Sequence, residues 1–555
     1  MANDSYPNQA LHPGQPLSDD EDLSGTVIGR GTAAFLAGFF LIILVCVALL
    51  DTALSYLSAA AAGDASLRHP FIALLRHPPS PGSFTLPIHR QGESEVNPLH
   101  QAETAIVEES TLRGWAGPLY RECLYGLLRS GTHTVVIGDD GWLYYRPGID
   151  YLCGRSVLAA EFPESNLESA DPRSVIAAFA RDCAVAGAQL IIVMVPDKAA
   201  IEFRHLGLPA PPPGSDYNNS SCDDLVRSLR AQGILVYVPN TDLRMVARRS
   251  ATFLRQDSHW TPEGMDVVAK GVAAIASPSI IESRRWRLTE QVASSKGDLV
   301  AALRLPPGQT RFLPETVRIG MISDSVTGTG WTSQVGAPLL VLGDSFTNIY
   351  DDPALGWGVS AGLAAHLGYH LGCEVEVIAI NGGGINETRN ILAHRPTALL
   401  GRKVVVWEFA MRELMQSQWR MIPMARTPGT GTANLVIAKT KTTFHAVVTA
   451  ISRIPPDDAT LYPNSLTTLT VKVSAEMEAE QTTVVGEFLL ALPCLRRHVP
   501  LPASRLHIGD SLMVTAIPWE AVPAEVMRTK RYDDSERYDL PLLFSEEWTI
   551  TTPSR

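Results

Sequence analysis

The alternation of apolar and polar positions changes character several times along the 555 residues, and each change marks a different kind of segment. Residues 1–30 are polar and rich in Pro, Asp, Asn and Ser, a composition that predicts a disordered leader; Arg30 beside the apolar run favours the cytoplasmic side for it. Residues 31–54 are mostly apolar, and Gly31 to Leu50 holds no charged side chain. About twenty such residues, rising about 1.5 Å each, cover a hydrocarbon core of about 30 Å, so the pattern predicts a transmembrane anchor. A cleaved signal peptide is the alternative, with Ala59-Ala60-Ala61-Ala62 as small residues for cleavage. Residues 55–110 carry Pro, His and Ser with little periodicity and read as a stalk.

From 111 to 420 the pattern becomes that of an α/β unit. Short continuous apolar runs at 189–196, 234–238, 339–342, 375–380 and 403–407 alternate with helix-period stretches at 174–186, 222–232 and 357–371. Strands without polar alternation belong in a parallel sheet covered on both faces by helices, which predicts a flavodoxin-like architecture. Residues 421–440 include a Gly/Thr-rich stretch and read as a linker. From 441 to 555, short segments such as 469–473 and 484–490 alternate with turn residues, the pattern of an all-β module, a small barrel or sandwich.

Composition narrows the function classes. Hydrophobic residues make up 45% and charged residues 19%, a globular balance. A formal net charge of -12, without a basic tract, excludes a nucleic-acid backbone as partner. Cys46 lies in the apolar run, and Cys123, Cys153, Cys183, Cys222, Cys373 and Cys494 lie beyond it. Their spacing matches no metal site, so neither metal nor cofactor is expected; disulfides and buried thiols both stay open.

The chemistry concentrates in two places. Gly343-Asp344-Ser345-Phe346 follows an apolar strand and precedes a helix-like stretch, which puts the Ser345 hydroxyl at the carboxyl edge of the sheet, where open α/β folds bind ligands. A serine needs a neighbouring base to become nucleophilic. Gly509-Asp510-Ser511 and Ser323-Asp324-Ser325 lack the strand–turn–helix setting: the first leads into an apolar strand and reads as a hairpin turn, and the second is followed by a loop over 326–330. Asp257-Ser258-His259-Trp260 supplies the base: the carboxylate can hold one imidazole nitrogen while the other faces a nucleophile. Thr261 reads as an N-cap with Pro262 at the first helical position.

Asp257-Ser258-His259-Trp260 placed before Gly343-Asp344-Ser345-Phe346 resembles the alginate O-acetyltransferase family of SGNH hydrolase-like proteins, the AlgJ/AlgX group. Gly138-Asp139-Asp140-Gly141-Trp142-Leu143-Tyr144 and Val195-Pro196-Asp197-Lys198 look like two further blocks of that family. Trp407 to Leu414 looks like its Glu-Xaa-Xaa-Arg block, although Glu408 and Arg412 stand one position further apart than that spacing. The resemblance covers roughly 133–415. It implies an SGNH-like fold with Ser345 as nucleophile, His259 as general base and Asp257 as its orienter. It also implies acetylation of an exopolysaccharide in the periplasm by a protein anchored once in the inner membrane, with a multispanning membrane acyltransferase bringing the acetyl donor. A carbohydrate esterase with the same triad, and a non-catalytic polysaccharide-binding or scaffold protein of an export complex, are the alternatives.

The remaining site assignments are open at this level. Asn381-Gly382-Gly383-Gly384 either presents Asn381 and Gly383 to an oxyanion or forms a flexible turn. Arg412 either contacts substrate or pairs with Glu408 across one helical turn. Lys198 is a rim charge or a binding group. Trp142 and Trp260 either stack on sugar rings or belong to the core.

Overall fold

The computed structural model describes residues 30–61, 110–158, 170–212, 214–280, 284–306, 308–395, 397, 399–424, 441–454, 461–473, 486–497 and 499–552. The polar leader before Arg30, nearly all of the stalk, the linker from 425 to 440 and the start of the 484–490 segment lie outside these residues. The chain divides into two compact units, Met1–Tyr120 and Arg121–Arg555. In the first, one helix runs over Arg30–Ala61, longer than the apolar run that predicts it. Its stretch Ala34–Leu57 is long and apolar enough to cross a membrane, a property that anchors and signal sequences share. Phe35, Phe39, Ile42 and Leu49 on it are exposed, so no protein core accounts for them.

The second unit opens with a short antiparallel pair, β1 (Val135–Ile137) and β2 (Leu143–Tyr145). The central sheet then uses β3 (Gln189–Val195) and β4 (Leu235–Tyr237). Between these and the rest of the sheet comes an antiparallel arm, β5 (Trp286–Ser295) and β6 (Glu315–Asp324), in continuous register from Trp286↔Asp324 to Ser295↔Glu315. The sheet is completed by β7 (Leu339–Gly343), β8 (Val375–Ala379) and β9 (Val404–Ala410). Its order is β4-β3-β9-β7-β8, and every pairing is parallel. All five carboxyl ends therefore meet at one edge.

The strands read as unbroken apolar runs because both faces are covered. On β9, Val405, Trp407 and Phe409 join the core under the helices Pro172–Val185 and Cys222–Ala231, with Phe179, Leu225 and Leu229. Val404, Val406 and Ala410 face the opposite core, with Met265, Val268 and Val272 of Pro262–Ala276 and Leu363 and Leu367 of Leu363–Leu371. Thr261 caps the first of these helices, its hydroxyl accepting from the Gly264 amide at 3.2 Å.

Several boundaries differ from the sequence reading. The helix expected over 357–371 begins only at Leu363, because Ser360 turns left-handed (φ 54°) and gives its amide to Asp351 Oδ1 at 2.8 Å. The last expected strand runs three residues further, to Ala410, through hydrogen-bonded register with β3. Ser323 and Asp324 end β6, and Asp324 Oδ1 receives the Val326 and Thr327 amides that turn the chain into the loop expected after them. The arm itself left no signal in the sequence: most of β5 is exposed, so no alternation marks it. Among the described residues, the seven cysteines form no disulfide.

The C-terminal part is built from β10 (Thr442–Ile451), β11 (Ser465–Val473), β12 (Glu487–Arg496), β13 (Val499–Pro500), β14 (Ser511–Pro518), β15 (Lys530–Tyr532) and β16 (Leu542–Thr552). Pairings β11–β12, β12–β16, β16–β14, β14–β10 and β10–β11 close it into a small barrel. Phe444, Leu469, Phe488, Leu490 and Val514 fill its interior. The alternate residues Leu489, Ala491, Leu542 and Phe544 point outward and join the core beneath the parallel sheet. Gly509-Asp510 forms a turn into β14, whose partners are β10 and β16, so it is not the hairpin expected.

One partly buried polar contact ties the helix that follows the histidine loop to its neighbour. Asp266 Oδ1 meets His366 Nδ1 at 2.8 Å and His370 Nε2 at 2.7 Å, and its other oxygen meets Lys270 Nζ at 2.7 Å. Burial pushes the Asp266 carboxyl up, but the hydrogen bonds from His366, His370 and Lys270 outweigh it and hold the group well below the usual carboxylate range. Such a depressed acid contributes stability that is fully present above the unfolded pKa of about 4 and is lost as pH falls further. Asp266→Asn is expected to cost about 1–2 kcal/mol at pH 7 in urea denaturation, with the difference from the native protein shrinking below about pH 4. An unchanged midpoint at pH 7 would show that the contact does not bear on folding.

Candidate active site

Ser345 sits where β7 meets the short helix Ser345–Asn348. The turn is tight because Gly343 has no side chain: a Cβ there would stand 2.2 Å from Thr347 Oγ1 and 2.8 Å from Glu408 Oε2. Asp344 Oδ1 caps the helix by accepting from the Phe346 amide at 2.8 Å. Glu408 Oε2, on β9, takes the Asp344 amide (3.1 Å) and the Thr347 hydroxyl (2.8 Å). Burial and the adjacent Asp344 push the Glu408 carboxyl far above its ordinary value. Its side chain thus braces the elbow from the neighbouring strand.

His259 arrives from the other side of the edge. Phe253 and Trp260 form an isolated bridge that closes the intervening loop. Asp257 Oδ1 contacts His259 Nδ1 at 2.6 Å and receives the His259 amide at 3.1 Å, so the two-residue spacing makes a local turn as well as a side-chain pair. Asp257 Oδ2 receives the Trp357 indole N–H (3.0 Å) and the Asp298 amide (3.2 Å). His259 Nε2 then lies 2.7 Å from Ser345 Oγ. With Asp257 ionised, Nδ1 carries the proton and Nε2 offers its lone pair to the serine hydroxyl.

Electrostatics follow from this geometry. Burial disfavours the Asp257 carboxylate, but His259 and the N–H donors outweigh it and the pKa falls below the ordinary value. Burial likewise disfavours the imidazolium, and Asp257 outweighs that, so His259 is raised above 6.5. Asp298 Oδ2 accepts from Ser258 Oγ at 2.5 Å, and burial together with Asp257 pushes its carboxyl up to about 6. Lys198 holds the loop from below: its Nζ donates to the carbonyls of Leu143 (2.5 Å), Arg255 (2.8 Å) and Asp257 (3.1 Å). Ser345, His259 and Asp257 are 1–2% exposed, so the constellation is sealed from bulk water. A separate cavity of about 660 Å³, lined by Phe203, Pro211, Asp216 and Arg244 among others, is lined by none of these three.

The structure brings Ser345, His259 and Asp257 together and gives the other expected site residues different partners. Arg412 does not pair with Glu408, because Glu408 lies on a strand and not one helical turn away. Its guanidinium bonds Asp197 Oδ1 at 3.1 Å and covers the rings of Tyr145 and Phe346. Trp260 is fully buried with its ring edge-on to Phe346, out of reach of a sugar. Trp142 is also core, stacked on His205 and lying under Lys198, which is buried rather than a rim charge. Asn381 bonds Asp352 Oδ2 through Nδ2 (2.7 Å) and accepts from Asn348 Nδ2 (3.0 Å). The Gly383 amide closes a turn onto Ile380 O at 3.0 Å. Sequence reasoning missed Asp298, Trp357 and Tyr462, whose hydroxyl donates to Ser345 Oγ at 2.6 Å. None sits in a motif, and no local pattern distinguishes them from ordinary polar or core residues.

Residues 135–411, about half of the chain, match the family model described as SGNH hydrolase-like domain, acetyltransferase AlgX. Among known proteins, the chain is 26% identical over 223 residues to the probable alginate O-acetylase AlgJ of Pseudomonas aeruginosa, covering 39% of this chain and 52% of that one. It is 29% identical over 222 residues to the AlgJ of Pseudomonas syringae pv. tomato, with the same coverage of 39% and 52%. The match thus spans about half the length of these curated relatives. Similar solved structures include the O-acetyltransferase domain of Pseudomonas putida AlgJ, at 22% identity and a TM-score of 0.39, covering 50% of this chain and 91% of that one. Pseudomonas aeruginosa AlgX is similar at 17% identity and a TM-score of 0.40, covering 66% and 83%.

Lys198 Nζ donates to three carbonyls, of which Arg255 O also accepts the Leu143 amide at 2.9 Å, so Lys198→Met would remove a donor from each and weigh most on the buried oxygens of Leu143 and Asp257. Chemical denaturation should show a loss of about 2–4 kcal/mol, since unsatisfied buried acceptors cost about 1–3 kcal/mol each and relax in part. A loss within about 0.5 kcal/mol would mean that the loop is held without Lys198.

Proposed function

The chain belongs, through residues 135–411, to the AlgJ/AlgX family of SGNH hydrolase-like domains, and on that premise we propose that it is an O-acetyltransferase working through an acyl-serine intermediate. The observation that carries the reading is the continuous relay from Asp257 Oδ1 to His259 Nδ1 (2.6 Å) and from His259 Nε2 to Ser345 Oγ (2.7 Å). In the first half-reaction Ser345 Oγ bonds to the acetyl carbon while His259 Nε2 takes its proton; the donor's leaving group departs with that proton. In the second half, an acceptor hydroxyl attacks the acetyl-serine, His259 takes the hydroxyl proton, and Ser345 leaves with it. Asp257 stays ionised throughout and stabilises the imidazolium.

The acceptor in this reading is an exopolysaccharide of the alginate class, following the relatives' names. The helix Arg30–Ala61 serves as a single-pass anchor in the inner membrane, with the catalytic body on the periplasmic side, beside a multispanning partner that delivers the acetyl donor. The sealed position of Ser345 favours transfer over hydrolysis, because an acyl-enzyme open to bulk water would lose its acetyl group before a sugar arrived. The completeness of the relay speaks against a purely scaffolding role.

The test is acetylation of the purified chain by an activated acetyl ester, read by intact mass. A single acetyl adduct on Ser345 is expected, with Ser345→Ala unlabelled and His259→Ala slowed by about 10³–10⁴-fold. A folded protein that acquires no adduct at Ser345 would sink the proposal. Only the neutral imidazole acts as base, so kcat/KM should fall as pH drops through a pKa above 6.5. In Asp257→Asn the carboxylate is gone and burial remains, so that limb should move to lower pH while the plateau drops steeply; a limb that stays in place would show that Asp257 does not set it.

A further inference from the structure

The loop expected to stabilise an oxyanion is already committed. Gly383 gives its amide to Ile380 O (3.0 Å) and Asn381 gives its amide to Arg528 O (2.9 Å). The Asn381 side chain is shared between Asp352 and Asn348. Attack by Ser345 nonetheless drives negative charge onto the acyl carbonyl oxygen, and a preorganised donor there is worth more than almost any other single contribution. Besides His259, the side chain that meets Ser345 Oγ is Tyr462, whose O–H points at it across 2.6 Å.

Tyr462 stands just before β11 of the barrel, 117 residues beyond Ser345. Two contacts seat it. Its neighbour Leu461 packs against the cluster of Leu143, Leu299, Leu303 and Phe312. Its own ring lies on Gly382, where a Cβ would stand 2.3 Å from ring carbon Cε2. Burial pushes the Tyr462 hydroxyl well above its ordinary value, which keeps the proton in place as a donor.

We infer that Tyr462 is a catalytic residue that donates its O–H to the oxyanion of the tetrahedral intermediates, an inference that rests on the acyl-serine reading above. In the resting site Ser345 O–H donates to His259 Nε2, and Oγ accepts from Tyr462. On attack, Oγ forms the bond to the acyl carbon, its proton passes to His259 Nε2, and the carbonyl π pair moves onto the carbonyl oxygen. Oγ then becomes an ester-like oxygen and a poor acceptor, while the adjacent oxyanion becomes the strongest acceptor near Tyr462. The O–H turns from the one to the other. Collapse returns the electron pair to the carbonyl and expels the leaving group, which takes the proton from His259. The barrel is thereby part of the catalytic centre.

Tyr462→Phe keeps the ring on Gly382 and removes the hydroxyl alone. Rapid-quench acetylation of the full chain by an activated acetyl ester, read by intact mass, should show Ser345 acylation slowed by about 10²–10³-fold with an unchanged denaturation midpoint. A trifluoromethyl ketone, whose hemiketal with Ser345 carries the oxyanion, should bind the variant weaker by a similar factor relative to its alcohol analogue. That ratio reads the folded fraction alone, so a partly unfolded variant still decides the question. Acylation of Tyr462→Phe at the native rate or faster, or an unchanged ratio, overturns the inference and leaves Tyr462 as a cover over the serine. A native protein that takes no acetyl group on Ser345 overturns the acyl-serine reading itself, and the inference with it; that failure is seen before any variant is made.

Discussion

The hydrogen bond between His259 Nε2 and Ser345 Oγ joins two segments that lie 86 residues apart, and much of the architecture serves to keep those atoms 2.7 Å from each other. Neither side chain has a local reason to be where it is. Ser345 is placed by the end of β7, an interior strand with partners on both sides. His259 is placed by a loop that is bridged at Phe253–Trp260, capped into Pro262–Ala276 and supported by Lys198 from the end of β3. The parallel sheet makes this possible because all its carboxyl ends share one edge, so groups distant in sequence converge without long loops.

That convergence buries charge, and the surroundings answer it group by group. Asp257 receives four N–H contacts, from His259 twice and from Trp357 and Asp298. Arg412 is matched by Asp197. Glu408, pushed well above its ordinary value by burial and the adjacent Asp344, works as a hydrogen-bonding strut. A buried ion without a partner would cost several kcal/mol, which explains why the polar groups around the serine form chains of contacts rather than isolated points. The arm β5–β6 lies between the two motifs in sequence; Glu315 at its base accepts the Arg255 amide at the start of the histidine loop.

The barrel contributes to both faces of the problem. Its outward residues Leu489, Ala491, Leu542 and Phe544 extend the core under the sheet, which accounts for the unbroken apolar run in β12. At the same time the chain entering β11 carries Tyr462 onto the serine. Shared core on one side and a side chain in the site on the other make the barrel structurally inseparable from the α/β part.

Much of this was legible along the chain. The apolar helix, the five sheet strands, the cap at Thr261 and the two motifs Asp257-Ser258-His259 and Gly343-Asp344-Ser345 all follow from local rules: strand and helix periods, capping chemistry and the short reach between residues two apart. The arm, the late start of Leu363–Leu371 and the extension of β9 did not, since each is set by contacts with distant parts: β6 for β5, Asp351 for Ser360, and β3 for β9. The same division runs through the site. The sequence by itself picked out Ser345, His259 and Asp257 as the proposed nucleophile, base and orienter, because each belongs to a compact motif whose chemistry depends on near neighbours. Only the tertiary structure decided that Arg412 answers Asp197, that Trp260 is core, that Asn381 and Gly383 are already bonded, and that Tyr462 reaches Ser345. Those outcomes depend on which groups folding brings within about 3 Å, and a hydrogen bond across a hundred residues leaves no periodicity in the chain that makes it.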